Sequence, residues 1–174
     1  MELKKLDRKY QGYEINVYYE TDYYYDVITN KKENEITFEL IKKKFDKTII
    51  KSYSFKLFSR KDNICYGCVN DDKIICLLEY YLDKEYNILK IENIYVDNDY
   101  RNHKLGHLLM NFAINKAKEN KVRAIKLETE SCNIKAIDFY TSFNFDISGF
   151  DKYKYTNEDV KDKEIDLEMI LELN

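Results

Sequence analysis

Three apolar segments in close succession constrain the fold of this chain more than any other feature. They read ICYGCV from Ile64, KIICLLEYYL from Lys73 and ILKIENIYV from Ile88, and they are rich in β-branched and aromatic residues. The short polar segments NDDK and DKEYN separate them. Apolar runs of this length with turn-forming residues between them predict strands joined by tight turns, and therefore an antiparallel meander.

After the third segment the periodicity changes to that of a helix. Apolar residues recur at helical spacing and predict a helix that ends near Asn120: Leu105, Leu108, Leu109, Phe112, Ala113 and Ala117. The later segments VRAIKLETE, NIKAIDFYTSF and KEIDLEMILEL predict a strand, a short helix and a last strand. This order predicts a mixed α/β (α+β) domain with a mostly antiparallel central sheet and flanking helices.

The first third of the chain has a weaker pattern. Tyr13, Ile15, Val17 and Tyr19 alternate with polar residues, which predicts a half-buried strand. The region from Ile36 to Phe45 fits a helix or a strand equally. The segment SYSFKLFS alternates as a strand does, but it also fits the end of a helical hairpin.

Composition limits the classes of function. A length of 174 residues suits one domain, and a net charge of −3 argues against a nucleic-acid binder, which generally has a concentrated basic face. No segment is apolar over the length of a membrane span, and the first residues lack a signal-peptide pattern. We therefore expect a cytoplasmic protein with no nucleic-acid or membrane partner, as a monomer or a homodimer.

The segment DNDYRNHKLG joins the strand that ends at Val96 to the helix that begins near Leu105. The first turn of a helix has N–H groups without intrahelical partners and therefore attracts anions. Gly106 allows a close approach to the backbone, and Arg101 and Lys104 add positive charge. A phosphate site is chemically reasonable here, but an ordinary capped helix fits these residues as well.

Two spaced motifs in residues 64–145 resemble the GNAT superfamily of acetyl-CoA-dependent N-acetyltransferases. The superfamily's Arg/Gln-x-x-Gly-x-Gly/Ala loop corresponds to Arg101-Asn102-His103-Lys104-Leu105-Gly106. Its Asn-x-x-Ala-x-x-Phe-Tyr-x-x-x-Gly-Phe motif corresponds to Asn133, Ala136, Phe139, Tyr140 and Phe145. Lys104 and Asn144 stand where glycine is usual. A positive φ would be tolerable for Asn144 and would cost about 1 kcal/mol at Lys104.

A narrower resemblance concerns the segments IEN, LETE and NIKAIDFYTSFNFDISGFDKY, which are similar to the streptothricin acetyltransferases. Those enzymes acetylate an amine on the β-lysine moiety of a cationic antibiotic. The resemblance implies one domain over 1–174. An N-terminal strand and substrate-side helices would occupy 1–63, the acetyl-CoA-binding core 64–145, and C-terminal strands 146–174.

The resemblance also implies roles for individual residues. Glu92 corresponds to a general base, although a substrate-binding carboxylate is an equal alternative, and Tyr140 corresponds to the general acid. Asn133 would hold the cofactor or the helix start. The remaining implied acetyl-CoA contacts are Ile94, Tyr95, Val96, Arg101, Asn102, His103, Lys104, Leu105, Gly106, His107 and Leu108.

The implied acceptor is a small cationic amine that attacks acetyl-CoA directly in a ternary complex. Glu128 and Glu130 lie on the strand face opposite Thr129 and are candidates to bind it, although exposed carboxylates on strands are common. The tyrosine-rich segment Glu20–Asp26 is a weaker candidate for the same wall. An enzyme for peptide amines and a non-catalytic acyl-CoA sensor are the alternatives.

Cysteine and histidine do not predict a metal site. Cys65 and Cys68 form a CxxC motif without a second such pair, and two thiols on a strand are the favoured interpretation. His103 and His107 share a helical spacing, but their separation from the cysteines matches no zinc pattern. We expect His103 and His107 to take part in hydrogen bonding or to face solvent.

Overall fold

The computed structural model describes residues 2–71 and 73–173. Its strands are β1 (Lys4–Leu6), β2 (Glu14–Lys32), β3 (Glu35–Lys56), β4 (Ile64–Asn70), β5 (Lys73–Asp83), β6 (Ile88–Val96), β7 (Ala124–Glu130), β8 (Asp146–Asp151) and β9 (Asp166–Glu172). Its helices are α1 (Leu105–Glu119), α2 (Ile134–Thr141) and α3 (Asp159–Asp162). Two compact units form: the described residues within 1–16, 54–127 and 170–174, and residues 17–53 with 128–169.

The first unit contains the predicted meander. Its strands lie in the order β1-β4-β5-β6-β7, and the pairings β1–β4, β4–β5 and β5–β6 are antiparallel. The pairing of β6 with β7 is parallel and runs from Ile88 opposite Ala124 to Lys90 opposite Lys126. With β5, the register of β6 continues to Val96. The prediction of a mixed, mostly antiparallel sheet with flanking helices is therefore confirmed.

Strand β5 and helix α1 form the core of the first unit. The residues of β5 from Ile74 to Tyr81 are all buried, which explains its almost unbroken apolar run. Helix α1 packs on β5 and β6 through its buried residues, which recur three or four positions apart: Leu105, Leu109, Met110, Ala113 and Ala117.

The second unit contains most of a long hairpin. Strands β2 and β3 form a two-stranded sheet and are joined by the two-residue turn at Glu33 and Asn34, which requires an antiparallel arrangement. The unit also holds neighbouring strands in the order β7-β9-β8. Its core includes Phe145 and Leu167, both nearly inaccessible to solvent.

One expectation is wrong. In place of the substrate-side helices expected within residues 1–63, the described residues there form strands, with β3 at Glu35–Lys56, and one three-residue 3-10 helix at Arg8–Tyr10. The short tract around Lys42 has β-branched and aromatic neighbours, and pairing with β2 outweighs its helix-compatible composition. The predicted end of α1 near Asn120 is confirmed. Asn120 has a right-handed backbone and its side-chain amide donates to the Lys116 carbonyl, whereas Lys121 takes the left-handed conformation.

No helix in the described part of the chain is long and apolar enough to cross a membrane.

Candidate functional site

A β-bulge displays Glu92 in the first unit. Asn93 faces Glu79 of β5 while Ile91 faces the next residue, Tyr80, so Glu92 is the extra residue of β6. Bulges turn a side chain away from the regular alternation of a strand and are common beside active sites. The side chain of Glu92 is half-buried. The pKa of nearby Arg60 is raised, chiefly by its hydrogen bond to Asp62 and in smaller part by Glu92.

The end of β6 leads into a braced turn. Tyr95 and Val96 are half-buried, and the Tyr95 hydroxyl donates to Asp97 Oδ2 across 3.2 Å. The same oxygen lies 2.9 Å from Lys73 Nζ, and Asp97 Oδ1 accepts from the amide of Asp99. Burial of Asp97 would raise its pKa, but Lys73 and these hydrogen bonds hold the pKa below its usual value. The start of the loop is therefore fixed by a charged cluster.

Left-handed residues shape the loop itself. Asn102 has φ 66° and Lys104, the residue that precedes α1, has φ 59° and ψ 15°. The His103 ring nitrogen Nδ1 lies 2.9 Å from the Arg101 carbonyl, so the expected hydrogen-bonding role of His103 within the loop is confirmed. The Arg101 Nε donates weakly to the Val96 carbonyl across 3.4 Å.

The first turn of α1 is open toward the loop. The amide of Leu108 donates to the Lys104 carbonyl, and Lys104 makes no side-chain cap. The amides of Leu105 and Gly106 precede this bond, and an α-helix leaves amides at these positions without intrahelical acceptors. The side chain of Leu105 is buried, whereas His107 and Leu108 are exposed.

In the second unit, Asn133 and Asn144 define the ends of α2. The Asn133 side chain accepts a hydrogen bond from the Ala136 amide, so of its two predicted roles the structure supports the helix start. Asn144 has φ 64°, and the Phe145 amide donates to the Tyr140 carbonyl. This is the Schellman arrangement in which glycine is usual, and it explains why asparagine is tolerated.

Tyr140 lies on the buried side of α2. Its ring contacts those of Phe139 and Phe145, and only 7% of its surface is exposed. Burial, with a smaller effect from Tyr53, raises the pKa of Tyr140 above its usual value. The hydroxyl therefore carries its proton at neutral pH.

Glu128 and Glu130 are both half-buried, and Thr129 between them is buried, as the predicted alternation requires. Glu128 forms an ion pair with Lys154, whose Nζ also lies 3.2 Å from the buried carboxylate of Asp166. The hydroxyl of Tyr155 donates to Asp166 across 2.9 Å. An ammonium group is thus held here by two carboxylates.

Glu130 has a different environment. It accepts a hydrogen bond from the hydroxyl of buried Tyr19, which also lies 3.3 Å from Cys132 Sγ. Burial raises the pKa of Glu130 most, and the negative charge of Glu164 adds to this, against the hydrogen bond from Tyr19 and the charge of Lys51. The Lys51 ammonium pairs instead with Glu164 across 2.5 Å.

The tyrosine-rich segment Glu20–Asp26 lies in β2. The chain's own lysines cover faces of its aromatic rings: Lys42 lies 5.5 Å from the centre of Tyr23 and 5.9 Å from that of Tyr25. These tyrosines therefore already have cationic neighbours within the hairpin.

The CxxC motif is part of a strand, as interpreted. Cys65 and Cys68 are free and buried, and residues three apart on a strand point to opposite faces. Cys68 instead faces Cys76 of β5. Gly67 between the two cysteines is required by close packing, because a Cβ there would lie 2.5 Å from the Cys76 carbonyl oxygen.

Comparison with known proteins decides the family. Residues 19–145 match the model of the acetyltransferase (GNAT) family. The chain belongs to the GNAT family. It is 32% identical over 98 residues to the streptothricin acetyltransferase of Escherichia coli, covering 56% of this chain and 55% of that protein. It is 42% identical over 67 residues to streptothricin acetyltransferase A of Bacillus subtilis strain 168, covering 38% and 39%. The chain thus matches about half or less of the length of these relatives.

Solved structures show that this GNAT chain shares its fold over the whole length. A nourseothricin acetyltransferase has a TM-score of 0.77 at 21% identity, with 99% of this chain and 98% of that chain covered. A Bacillus anthracis protein assigned as a streptothricin acetyltransferase, solved in complex with acetyl coenzyme A, has a TM-score of 0.67 at 21% identity, with 99% of each chain covered.

The structure sorts the predicted residues of this GNAT chain into two sets. The first unit brings together Glu92, the residues Ile94 to Val96 and the loop through Leu108. The second unit contains Asn133, Tyr140, Glu128 and Glu130.

Two polar residues escaped the sequence reasoning. Glu79 is completely buried, and its signal was a single charge within the apolar run of β5. Tyr19 was one of 17 tyrosines, and nothing in its own strand marked it as a partner of Glu130.

Proposed function

We propose that the chain is an N-acetyltransferase that moves the acetyl group of acetyl-CoA to a primary amine of a small cationic acceptor of the streptothricin class. The observation that carries the proposal is the loop of left-handed Asn102 and Lys104 that opens α1 at the position of the family's phosphate-binding motif. Similarity to streptothricin acetyltransferases supports the choice of acceptor.

The residues of this loop fit the pyrophosphate of acetyl-CoA. Left-handed residues turn the chain immediately before the first-turn amides of α1, which suit an anion. The exposed side chains of Arg101 and Lys104 add positive charge. We assign the pyrophosphate to the amides from Asn102 to His107, with Arg101 beside it, and the pantetheine arm to Ile94, Tyr95 and Val96. The expected contact through the Leu108 amide is dropped, because that amide already donates to the Lys104 carbonyl. When bound, acetyl-CoA supplies an activated acetyl group as a thioester.

Glu92 is the residue that we propose as the general base. An alkylamine with a pKa near about 10.4 is protonated at neutral pH and has no lone pair for attack. Glu92 would accept the proton, directly or through one water, so that the amine attacks in a ternary complex. A backbone N–H of β6 beyond Lys90 would stabilise the negative charge that develops on the carbonyl oxygen.

Tyr140 is proposed to donate the proton that the departing sulfur needs. Burial keeps its hydroxyl protonated at neutral pH, which an acid must be before it can donate. Its contacts with Phe139 and Phe145 would fix the ring in one orientation.

Glu128 and Glu130 are proposed to bind the acceptor's positive charge. The ion pair that Glu128 and Asp166 make with Lys154 supports this, because it is the chemistry that a substrate ammonium would use. A β-lysine moiety carries such groups. Under this proposal the acceptor competes with Lys154 for the carboxylates.

The test is release of free thiol from acetyl-CoA in the presence of a panel of amines. The panel contains a streptothricin, an aminoglycoside, a polyamine and a peptide with a free N-terminus. We expect turnover with the streptothricin, and mass spectrometry should locate one acetyl group on its β-lysine moiety. Turnover with the peptide and with no other amine would show that the acceptor is a peptide amine and not a small cationic molecule. Binding of acetyl-CoA without turnover of any amine would overturn the enzymatic proposal in favour of a sensor.

A further inference from the structure

A carboxylate lies in the middle of the most buried strand of the first unit. Glu79 interrupts the apolar run of β5, and none of its surface is exposed. Burial of a carboxylate is costly unless hydrogen bonds satisfy its oxygens. An apolar residue would suit this position better, so the partners of Glu79 indicate what the carboxylate does.

Each oxygen of Glu79 has its own donor. Oε1 accepts from the backbone amide of Phe58 across 2.6 Å, and Oε2 accepts from Asn93 Nδ2 across 2.7 Å. Phe58 has a left-handed backbone with φ 56°, which is unusual for an aromatic residue. Asn93 is the cross-strand partner of Glu79 in the register of β5 and β6. The carboxylate therefore joins a strained turn to one point on β6.

That point lies next to the bulge. Asn93 immediately follows Glu92, the extra residue of β6. A shift of one residue in a strand register moves each side chain to the opposite face of the sheet. A side-chain hydrogen bond that fixes Asn93 opposite Glu79 therefore also fixes the face on which Glu92 is displayed.

We infer that Glu79 is a positioning residue that acts through Asn93 to hold the bulge that aims Glu92. The inference rests on the proposed function, in which Glu92 is the base. Glu79 itself touches neither the acceptor nor acetyl-CoA in this scheme.

An isosteric exchange tests this inference. Asn93→Asp places a second carboxylate beside that of Glu79, so the two repel each other, and it removes the side-chain donor to Glu79. We expect kcat to fall at least about tenfold, because a displaced base loses part of the roughly 10²–10⁴-fold that a well-placed base contributes, with the Kd for acetyl-CoA changed less than twofold. In the double variant Glu79→Gln with Asn93→Asp, the glutamine oxygen accepts from Phe58 and its nitrogen donates to the carboxylate introduced at position 93. Both hydrogen bonds and the net charge are restored, so kcat should recover to within about threefold of the wild type, since restored geometry restores the base.

Controls separate the inference from simple loss of stability. Asn115→Asp makes the same substitution at an exposed position of α1 and should leave kcat unchanged. Asn93→Ala serves if Asn93→Asp does not fold, because it removes the donor without adding a charge; it should lower kcat while acetyl-CoA binding persists. The unfolding temperature of each variant is measured alongside.

The outcomes are distinct. If the wild type turns over and both Asn93→Asp and Asn93→Ala keep its kcat, the inference about Glu79 is wrong while the proposed function stands. A double variant whose unfolding temperature recovers while its kcat does not would have the same meaning. Absence of turnover by the wild type would overturn the proposed function, and the inference with it.

Discussion

The backbone of Lys104 leads to a prediction that separates strain from charge. Lys104, the residue immediately before α1, has φ 59° and ψ 15° at a position where extended backbone is usual. The folded chain has this conformation before any ligand binds. The strain energy therefore lowers the stability of the fold and does not lower the affinity for a ligand. Lys104→Gly should therefore change stability through strain, and acetyl-CoA affinity through charge alone.

The expected magnitudes follow from three contributions. Replacing a left-handed non-glycine residue by glycine removes backbone strain and stabilises the folded state by about 1–2 kcal/mol. Removal of a cation from a helix N-terminus adds about 0.3 kcal/mol, and the greater freedom of glycine in the unfolded chain costs about 0.7 kcal/mol. The net gain of about 1 kcal/mol corresponds to a rise of about 2–4 °C in the unfolding temperature of a domain of this size. Loss of the exposed ammonium should weaken acetyl-CoA binding by no more than about fivefold, or about 1 kcal/mol.

Thermal unfolding and calorimetric titration with acetyl-CoA measure the two effects. Lys104→Ala removes the charge but keeps the strain, so its Kd should match that of Lys104→Gly while its unfolding temperature stays lower. Lys121→Gly is the matched control, since Lys121 has φ 54° just past the other end of α1. It should gain stability without any change in Kd. Tighter acetyl-CoA binding by Lys104→Gly than by Lys104→Ala would refute the reasoning, because strain would then be acting on binding.

Three further predictions concern the second unit. Tyr140→Phe should lower kcat at least about a hundredfold, as expected for loss of a general acid, with a Kd for acetyl-CoA within twofold; an equal loss in both would indicate a structural tyrosine. Asn144→Gly should raise the unfolding temperature by less than Lys104→Gly does, since asparagine tolerates φ 64° better than lysine tolerates φ 59°, and an equal or larger rise would contradict this. Burial raises the pKa of Glu130 above its usual value of 4.5. Ionisation of Glu130 should therefore lower the free energy of unfolding as the pH rises above 4.5. Glu130→Gln, which retains an acceptor for Tyr19, should therefore gain more stability at pH 8 than at pH 4 in denaturant unfolding; an equal gain would contradict the raised pKa.

The central strands and the site loop were predictable because their determinants are local. The runs that became β4, β5 and β6 are apolar and separated by turn residues, and they formed the expected meander. The phosphate-loop motif places left-handed backbone at position 104, and the structure has φ 59° there even with lysine. In both cases the sequence signal lies within the segment that forms the structure, as an apolar run or as a short motif.

The hairpin of β2 and β3 and the role of Glu79 were not predictable in this way. Lysine and isoleucine in IKKKFDKTII are compatible with a helix and with a strand. Which of the two forms depends on pairing with residues far away in the sequence. Glu79 likewise looked like one charge in an apolar strand. Its partners Phe58 and Asn93 are 21 and 14 residues away along the chain. Contacts of this kind become visible only when the chain is folded.

The two departures from the family motifs share a physical explanation. Lys104 and Asn144 replace the usual glycines, yet both keep a left-handed backbone, with φ 59° and φ 64°. Six other non-glycine residues in the described part of the chain do the same, among them Lys121 and Lys163, each just past the end of a helix. With only four glycines in 174 residues, the chain accepts a small folding cost at such positions. The backbone conformation, rather than the glycine itself, is therefore what the loop before α1 and the turn after α2 require, and a motif search that insists on glycine would miss both.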